Sequence, residues 1–390
     1  MLLHICNNFI SSKVHANLIR SIAGAIGLEQ FVFVPIRTEL HRGLFGFALP
    51  NVEITYKKCQ GRVLRFFPLL KILVTLVAFL RSTRNKKLNG ARVLAHTLWS
   101  DGCVAYLNKV ITGVPYSVVI RNTDINWFVP KLPHYRWLIA RILGSAEAVV
   151  FVSLAHRRRF EKTYPDLYAA AGSIEVIPNG VEEFWLENLV GSQIVRGPVV
   201  TFVGRFDRNK NLGGLIEAVQ LARKQILNLK LVLIGGSSKE LSTLLSEPHI
   251  PAWVECLGKV TDMHEIRDRY RETKVFALTS HTETFGLVYI EAMSQGCPFV
   301  YTVNEGVDGF FDDAAFCTAV NPSCPEEISN GIMDLMRRYP DGIEIDDVRA
   351  RMHEFKWTSI AERYLTILRL GSAREESIES HCGYRDLRDV

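Results

Sequence analysis

Val199-Val200-Thr201-Phe202-Val203-Gly204-Arg205-Phe206-Asp207-Arg208-Asn209-Lys210-Asn211-Leu212 opens the second half of a 390-residue chain. An apolar, β-branched run breaks at a glycine, a polar loop follows, and an apolar helical pattern begins at Leu212. Such a run reads as a buried parallel strand, and the break after it as a strand-to-helix turn. The same unit recurs along the chain. Upstream, strands are expected at Leu2–Cys6, Phe31–Pro35, Val93–His96, Tyr116–Ile120, Ala148–Val152 and Glu175–Pro178. Helices between them are expected at Val14–Ile26, Phe66–Thr83, Gly102–Ile111, Tyr135–Leu143 and Ala155–Tyr164. From Val199 onward the strands are Val199–Val203, Lys230–Ile234, Val254–Leu257, Val275–Leu278, Pro298–Tyr301 and Phe316–Val320. Their helices are Leu212–Leu227, Lys239–Leu245, Met263–Glu272, Gly286–Ser294 and Glu326–Tyr339. Strands alternating with helices make an α/β chain built on parallel sheets. The polar, aperiodic stretch from Glu187 to Pro198 separates two such sheets, which gives domains over 1–187 and 198–354. Ligand crevices of doubly wound sheets lie beyond the carboxyl ends of their strands.

Composition limits the function classes. Hydrophobic residues make up 48% and charged residues 22%, which fits a globular chain with real cores and excludes a disordered one. Lys+Arg at 46 against Asp+Glu at 41 leaves +5, too little for a dedicated nucleic-acid binder, so no nucleic-acid partner is expected. The eight cysteines (Cys6, Cys59, Cys103, Cys256, Cys297, Cys317, Cys324, Cys382) contain no C-x-x-C pair, and reduced thiols of a cytoplasmic protein are expected. Met1–Asn8 lacks a basic leader and reads as a first strand rather than a signal peptide. The segment Arg62–Lys87 is apolar with cationic ends. Pro68 and Lys71 cut it too short to span a bilayer. Two readings stay open for it: a buried helix with charged ends, or an amphipathic helix whose cations meet anionic headgroups while Phe and Leu enter the interface.

Two loops carry candidate chemistry. After Val203, Arg205 and Lys210 stand five positions apart on a strand-to-helix turn, where guanidinium and ammonium groups suit a diphosphate. After Leu278, Thr279-Ser280-His281-Thr282-Glu283-Thr284-Phe285-Gly286-Leu287 leads into a helix whose free N–H groups favour an anion. Glu283 and Glu291 flank that anion site, and carboxylates beside a phosphate need hydroxyl partners, which points to a sugar or ribose.

These residues together resemble the family 4 retaining glycosyltransferases of GT-B architecture. The resemblance rests on Gly204-Arg205, Lys210, Glu283 followed by seven residues and Glu291, Gly296-Cys297-Pro298, Ile177-Pro178-Asn179-Gly180-Val181 and Phe355-Lys356-Trp357. It implies two Rossmann-like domains facing a central cleft, with a tail helix over 357–372 returning to the first. It implies that Arg205 and Lys210 clamp the donor diphosphate. Glu283 and the amides of Thr284, Phe285, Gly286 and Leu287 would hold the sugar and distal phosphate. Glu291 would bind ribose, and the base would lie near Lys259 and Val260. No metal ion or other cofactor is implied. On the acceptor side the chain has Ser11, Ser12 and Lys13 where the family often has a Gly-rich loop. Arg121-Asn122-Thr123-Asp124 stands where many members carry a histidine, and Arg121, Asn122 and Asp124 read as acceptor-binding groups. His96, on the same rim, is read two ways: as a second candidate for catalysis beside Glu283, Arg205 and Lys210, or as a strand-end histidine satisfied by backbone. Where the family carries Gly-Gly after Tyr301-Thr302, this chain has Asn304-Glu305-Gly306.

The expected function is retaining transfer of a hexose-type sugar from a nucleotide sugar to a carbohydrate or lipid-linked glycan acceptor, in cell-surface polysaccharide or glycan biosynthesis. The site would be cytoplasmic, with peripheral contact to anionic membrane through 62–87 at the inner face. Two other readings compete: a nucleotide-sugar hydrolase or epimerase of the same fold, and a catalytically silent binding subunit.

Overall fold

A computed structural model describes residues 1–370 apart from Gln60, Arg62 and Gln193. Arg62, the side chain of Arg65, Cys382, the last two residues of the expected 357–372 helix and the charged tail beyond Ser372 lie outside the described residues. The chain divides into two compact units. The first comprises Met1–Val150, Pro165–Ile177 and the chain from Trp357; the second comprises Phe151–Tyr164 and Pro178–Lys356.

The first unit holds a seven-stranded sheet of β1 (Leu2–Ile5), β2 (Gln30–Ile36), β3 (Val52–Lys58), β4 (Arg92–Ala95), β5 (Tyr116–Ile120), β6 (Val149–Phe151) and β7 (Ile174–Val176). Its spatial order is β3-β2-β1-β4-β5-β6-β7, and β1 pairs in parallel with both β2 and β4. The helices are α1 (Lys13–Ile26), α2 (Pro68–Thr83), α3 (Ser100–Thr112) and α4 (Arg136–Ser145). Ser12 caps α1 by accepting the Val14 N–H at 3.2 Å, and Gly27 ends it with φ +58 while donating to the Ala23 carbonyl. Apolar residues recur at helical spacing along α1, so Ala16, Ile19, Ile22 and Ala23 are buried.

Six strands are expected in this half and seven are found. Val52-Glu-Ile-Thr-Tyr-Lys-Lys58 alternates and carries charge, as an edge strand does, and it pairs with β2 over its whole length from Gln30↔Val52 to Ile36↔Lys58. A central-strand criterion of continuous apolar residues passes over it.

The second unit begins with α5 (Leu154–Thr163), which follows β6 directly, and then holds β8 (Val199–Val203), β9 (Lys230–Ile234), β10 (Val254–Cys256), β11 (Val275–Leu278), β12 (Phe299–Thr302) and β13 (Cys317–Val320). All six strands lie where the sequence places them. They pair in parallel in the order β10-β9-β8-β11-β12-β13. The helices are α6 (Leu212–Ala222), α7 (Ser238–Leu245), α8 (Met263–Glu272), α9 (Leu287–Ser294), α10 (Pro325–Arg338) and α11 (Ile345–Met352). Phe202, Phe276, Tyr289 and Phe299 fill the core, each burial worth roughly 1.5–3 kcal/mol, and Phe276 meets Tyr289 edge-on at 5.7 Å. A last helix, α12 (Trp357–Ile367), belongs to the first unit and packs on α1 through a buried face of Ile360, Ala361, Tyr364 and Leu365.

In each sheet the strand order reverses once, between β1 and β4 and between β8 and β11. A reversal leaves a crevice at the carboxyl ends of the two strands, because the helices that follow them pack on opposite faces. The loops after β8 and β11 carry Arg205, Lys210 and Glu283; those after β1 and β4 carry Ser11, Ser12, Lys13 and His96.

Candidate functional site

In the second unit the two crevice loops are joined side chain to main chain. Asp207 accepts the Asn209 N–H at 3.0 Å and fixes a short turn over Arg208–Lys210. Asn209 then reaches across. Its Nδ2 donates to the Thr282 carbonyl at 2.8 Å, its Oδ1 accepts the Thr282 N–H at 3.0 Å and hydroxyl at 2.7 Å, and its own carbonyl accepts the His281 N–H at 2.8 Å. Asn209 was not singled out by sequence, although an Asn between two cations in a rim loop is the residue type that closes such a junction.

The junction brings Lys210 to Glu283. Their Nζ and Oε2 lie 2.7 Å apart, with side chains 16% and 15% exposed, so the pair is sheltered yet open to a ligand. Glu283 Oε1 also accepts the Thr284 N–H at 3.1 Å. Gly286 follows at φ +83, a conformation that L side chains rarely adopt, and a Cβ there would lie 2.5 Å from the Tyr289 ring. The glycine turns the chain into α9, whose first amides, with those of Thr284, Phe285 and Leu287, form the positive end of the helix. Phe285 itself is buried, so its contribution to a ligand is its backbone.

Arg205 is 89% exposed and 3.9 Å from Asp207, a mobile-length cation over the same loop. Lys259 is exposed and Val260 half-buried, after β10 on the same carboxyl rim. There Gly235 donates to the Gly258 carbonyl at 2.7 Å, which ties the loops after β9 and β10. Glu291 lies on the second turn of α9 beside Tyr270 and Glu182. Burial, and then Glu182, push its carboxyl up to about 7. Its environment therefore differs from that of Glu283, which is paired with a cation.

Glu305 is a further residue of this site. It sits in the turn after β12, is 6% exposed, and accepts the Glu283 N–H at 2.9 Å. His156 and Arg159 of α5 hold the same carboxylate, His156 Nε2 at 3.4 Å and Arg159 in a shorter ion pair. Burial works to raise the Glu305 carboxyl, but the His156 and Glu283 hydrogen bonds and the Arg159 charge prevail and hold it below the usual range. The replacement of Gly-Gly by Asn304-Glu305-Gly306 was the available sequence signal. Nothing in sequence joined that loop to α5, about 150 residues earlier.

The first unit's crevice is different. His96 is fully buried, and both ring nitrogens are engaged: Nε2 with His4 Nδ1 at 3.0 Å, Nδ1 with His15 Nδ1 at 3.2 Å. Gln30 Nε2 donates to the Ile19 carbonyl, so Gln30 Oε1 faces His4 Nε2 at 2.8 Å and accepts its proton. Neutral rings then order the chain from His15 to His96 to His4 to Gln30, each donating to the next. Burial lowers His4 to about 4 and holds His15 and His96 well below 6.5. The expectation that His96 is a catalytic histidine is corrected: it has no open nitrogen and no exposed atom. Ligand atoms of Cys6, His15 and His96 lie within 4.8 Å of one another. The hydrogen-bonded wire already uses both nitrogens of His96, so a hydrogen-bonding role accounts for the cluster.

Asp124 is likewise corrected as an acceptor-binding group. It is fully buried, accepts the Trp99 N–H at 3.2 Å and the Arg121 N–H at 3.0 Å, and burial raises it to about 6. Arg121 is also buried, its Nε donating to the His96 carbonyl at 3.1 Å. Asn122 bonds Asn126 and is half-buried. Ser11 donates to the Asn8 carbonyl at 2.6 Å and Ser12 caps α1, while Lys13 is exposed.

Residues 192–354 match the family described as glycosyl transferases group 1. The chain is 26% identical over 317 residues to alpha-maltose-1-phosphate synthase of Mycolicibacterium smegmatis, covering 72% of this chain and 79% of that protein. It is 28% identical over 312 residues to alpha-monoglucosyldiacylglycerol synthase of Acholeplasma laidlawii, covering 74% and 76%. Sucrose-phosphate synthase from Thermosynechococcus elongatus shares the fold with a TM-score of 0.72 at 19% identity, over 94% of this chain and 98% of that one. Residues 192–354 thus carry a group 1 glycosyl transferase domain, and nearly the whole chain has the GT-B fold of two parallel-sheet α/β units.

Proposed function

We propose that the chain moves a sugar from a nucleoside diphosphate sugar to a carbohydrate acceptor with retention of anomeric configuration and without a metal ion. The observation that carries this reading is the Lys210–Glu283 pair at the mouth of α9, sheltered but open. An incoming diphosphate is drawn to Lys210, to Arg205 and to the helix amides, and Glu283, released from Lys210, accepts hydrogen bonds from sugar hydroxyls. As the bond to the anomeric carbon breaks, charge grows on the leaving phosphate, and the same cations and amides stabilise it. The acceptor hydroxyl enters on the face that the phosphate leaves, and passes its proton to that phosphate. Glu291 and the Lys259–Val260 segment would meet the ribose and the base. Titration against a panel of nucleotide sugars tests the donor, chelator treatment tests metal independence, and the anomeric proton coupling of the product tests retention. Donor turnover that is equally fast with and without acceptor would instead favour a hydrolase.

The acceptor reading extends to a lipid surface and an inner-membrane, cytoplasmic-face location. On α2, Ile72, Thr75, Leu76 and Phe79 are buried, whereas Phe67, Leu69, Leu70, Leu73 and Val77 are exposed on another face. Arg81, Arg84 and Lys87 are exposed at its carboxyl end. An apolar stripe beside cations suits an interface with anionic headgroups. Lys71 does not join them: it is half-buried, lines a small crevice with Asp101, Trp99 and Thr75, and burial lowers its ammonium. No helix among the described residues is long and apolar enough to cross a membrane. One relative's name, alpha-monoglucosyldiacylglycerol synthase, denotes a lipid product. Sedimentation with anionic vesicles should carry the wild type down and leave Leu70→Glu/Leu73→Glu in solution; equal partition of both would remove the membrane part.

A further inference from the structure

Glu283 is held from behind on both sides of its peptide. Its N–H donates to Glu305 Oε2 at 2.9 Å, and its carbonyl accepts the Gly306 N–H at 3.2 Å. Residues 305 and 306 therefore grip one residue of the neighbouring loop through two opposed bonds. Close approach is essential there. Gly306 has φ +55, and a Cβ on it would lie 2.8 Å from the Phe285 carbonyl and 3.1 Å from Glu283 Cγ. Asn304, on the other side, is also left-handed at φ +61, so the turn is shaped to send the Glu305 side chain inward.

The grip is itself anchored. Ser153 Oγ donates to the Gly306 carbonyl at 2.7 Å, His156 meets Glu305 Oε2 and Arg159 meets Glu305 Oε1. Ser153, His156 and Arg159 are spaced by three, so they lie along one face of the capped start of α5. Each contacts residue 305 or 306. Arg159 also cancels the charge that Glu305 would otherwise place behind an anion site.

We infer that Glu305 is a positioning residue that, anchored by Ser153, His156 and Arg159, fixes the Glu283 backbone and so aims the Glu283 carboxylate at the donor sugar. This rests on the reading that Glu283 acts on the donor. Glu305 touches no substrate; it acts through Glu283. Its effect should appear in turnover, because a reacting group misplaced by about 1 Å can cost on the order of 100-fold in rate, whereas the diphosphate clamp of Lys210 and Arg205 does not depend on it.

The test compares Glu305→Gln, Glu283→Gln and the double variant in the full chain, with kcat and KM for the nucleotide sugar and Kd for the free nucleoside diphosphate. Glu305→Gln is expected to lower kcat about 10- to 100-fold while Kd moves less than about twofold. In the Glu283→Gln background it should add less than about twofold, since both changes act on one group. A Glu305→Gln enzyme with normal kcat beside an impaired Glu283→Gln enzyme overturns the inference, as does a double variant whose losses multiply. A fully active Glu283→Gln enzyme would instead remove the underlying reading of Glu283. Should Glu305→Gln fail to fold, His156→Gln takes its place, with a drop of a few-fold in kcat that vanishes in the Glu283→Gln background.

Discussion

Two crevices of the same topological origin carry opposite chemistry. After β8 and β11, charged side chains form a pair that is sheltered but reachable, backed by a helix N-terminus. Around β1 and β4, the histidines and aspartates are sealed, Lys13 apart: three neutral histidines bond one another, and Asp101 and Asp124 accept backbone amides, Asp101 accepting the Asn7 N–H at 3.2 Å. Burial drives the two sets apart. It raises Asp101 to about 8 and lowers His4 to about 4, so each side chain tends to its uncharged form. Strand order thus sets where a crevice forms, but the loops decide whether its residues meet solvent and substrate.

The largest expected effect is on the open crevice. Glu283→Ala should lower kcat by roughly 100- to 1000-fold with an unchanged thermal midpoint, because it removes the group proposed to act on the sugar and not core volume. Normal turnover would break the comparison at its active side. Lys210→Ala should weaken nucleoside diphosphate about 10- to 100-fold by titration calorimetry, the worth of one charge-assisted contact; an unchanged Kd would falsify the clamp.

The sealed crevice should speak through stability. Folded His4, His15 and His96 sit below their unfolded value of 6.5, so the unfolded chain binds more protons as pH falls. Their contribution is present above pH 6.5 and is lost on acidification through 6.5 toward 4 and below. Each histidine adds a slope of at most about 1.4 kcal/mol per pH unit. The raised carboxyls of Asp101, Asp124 and Glu291 act with the opposite sign over the same range, so the histidine part is read as the stability difference between the wild type and His4→Gln. That difference should shrink from pH 7 to pH 4.5, and a constant one would show that the cluster is not neutral in the fold. The smallest effect concerns catalysis by His96. His96→Gln should destabilise by about 1–3 kcal/mol yet keep both limbs of the pH–rate profile, and loss of one limb would restore His96 to the mechanism.

Much of the fold is readable because parallel strands are buried on both faces and therefore announce themselves as apolar runs. All six strands of the second unit fall in place, and only β3, an alternating edge strand, escapes. The loops of the candidate site are readable to the same degree, since Gly204–Asn211 and Thr279–Leu287 each follow a strand and precede a helix. His96 and Asp124 mislead for one reason: position at a strand end is visible in sequence, exposure is not. Asn209 passes unnoticed, and Glu305 stands out only as a departure from Gly-Gly, because their partners lie 73 and 22 to 149 residues away.

By itself, then, the sequence determined the α/β class, the two sheets, and the placing of Arg205, Lys210 and Glu283 on the loops after β8 and β11. These follow from local periodicity and from residues that act within a strand–loop–helix unit. Tertiary structure alone decided that Lys210 is paired with Glu283, that His96 is sealed in a wire, and that a helix from the first half of the chain anchors Glu305 behind the site. Those outcomes depend on which distant side chains meet and on what water they exclude, and neither is encoded in any short stretch of chain.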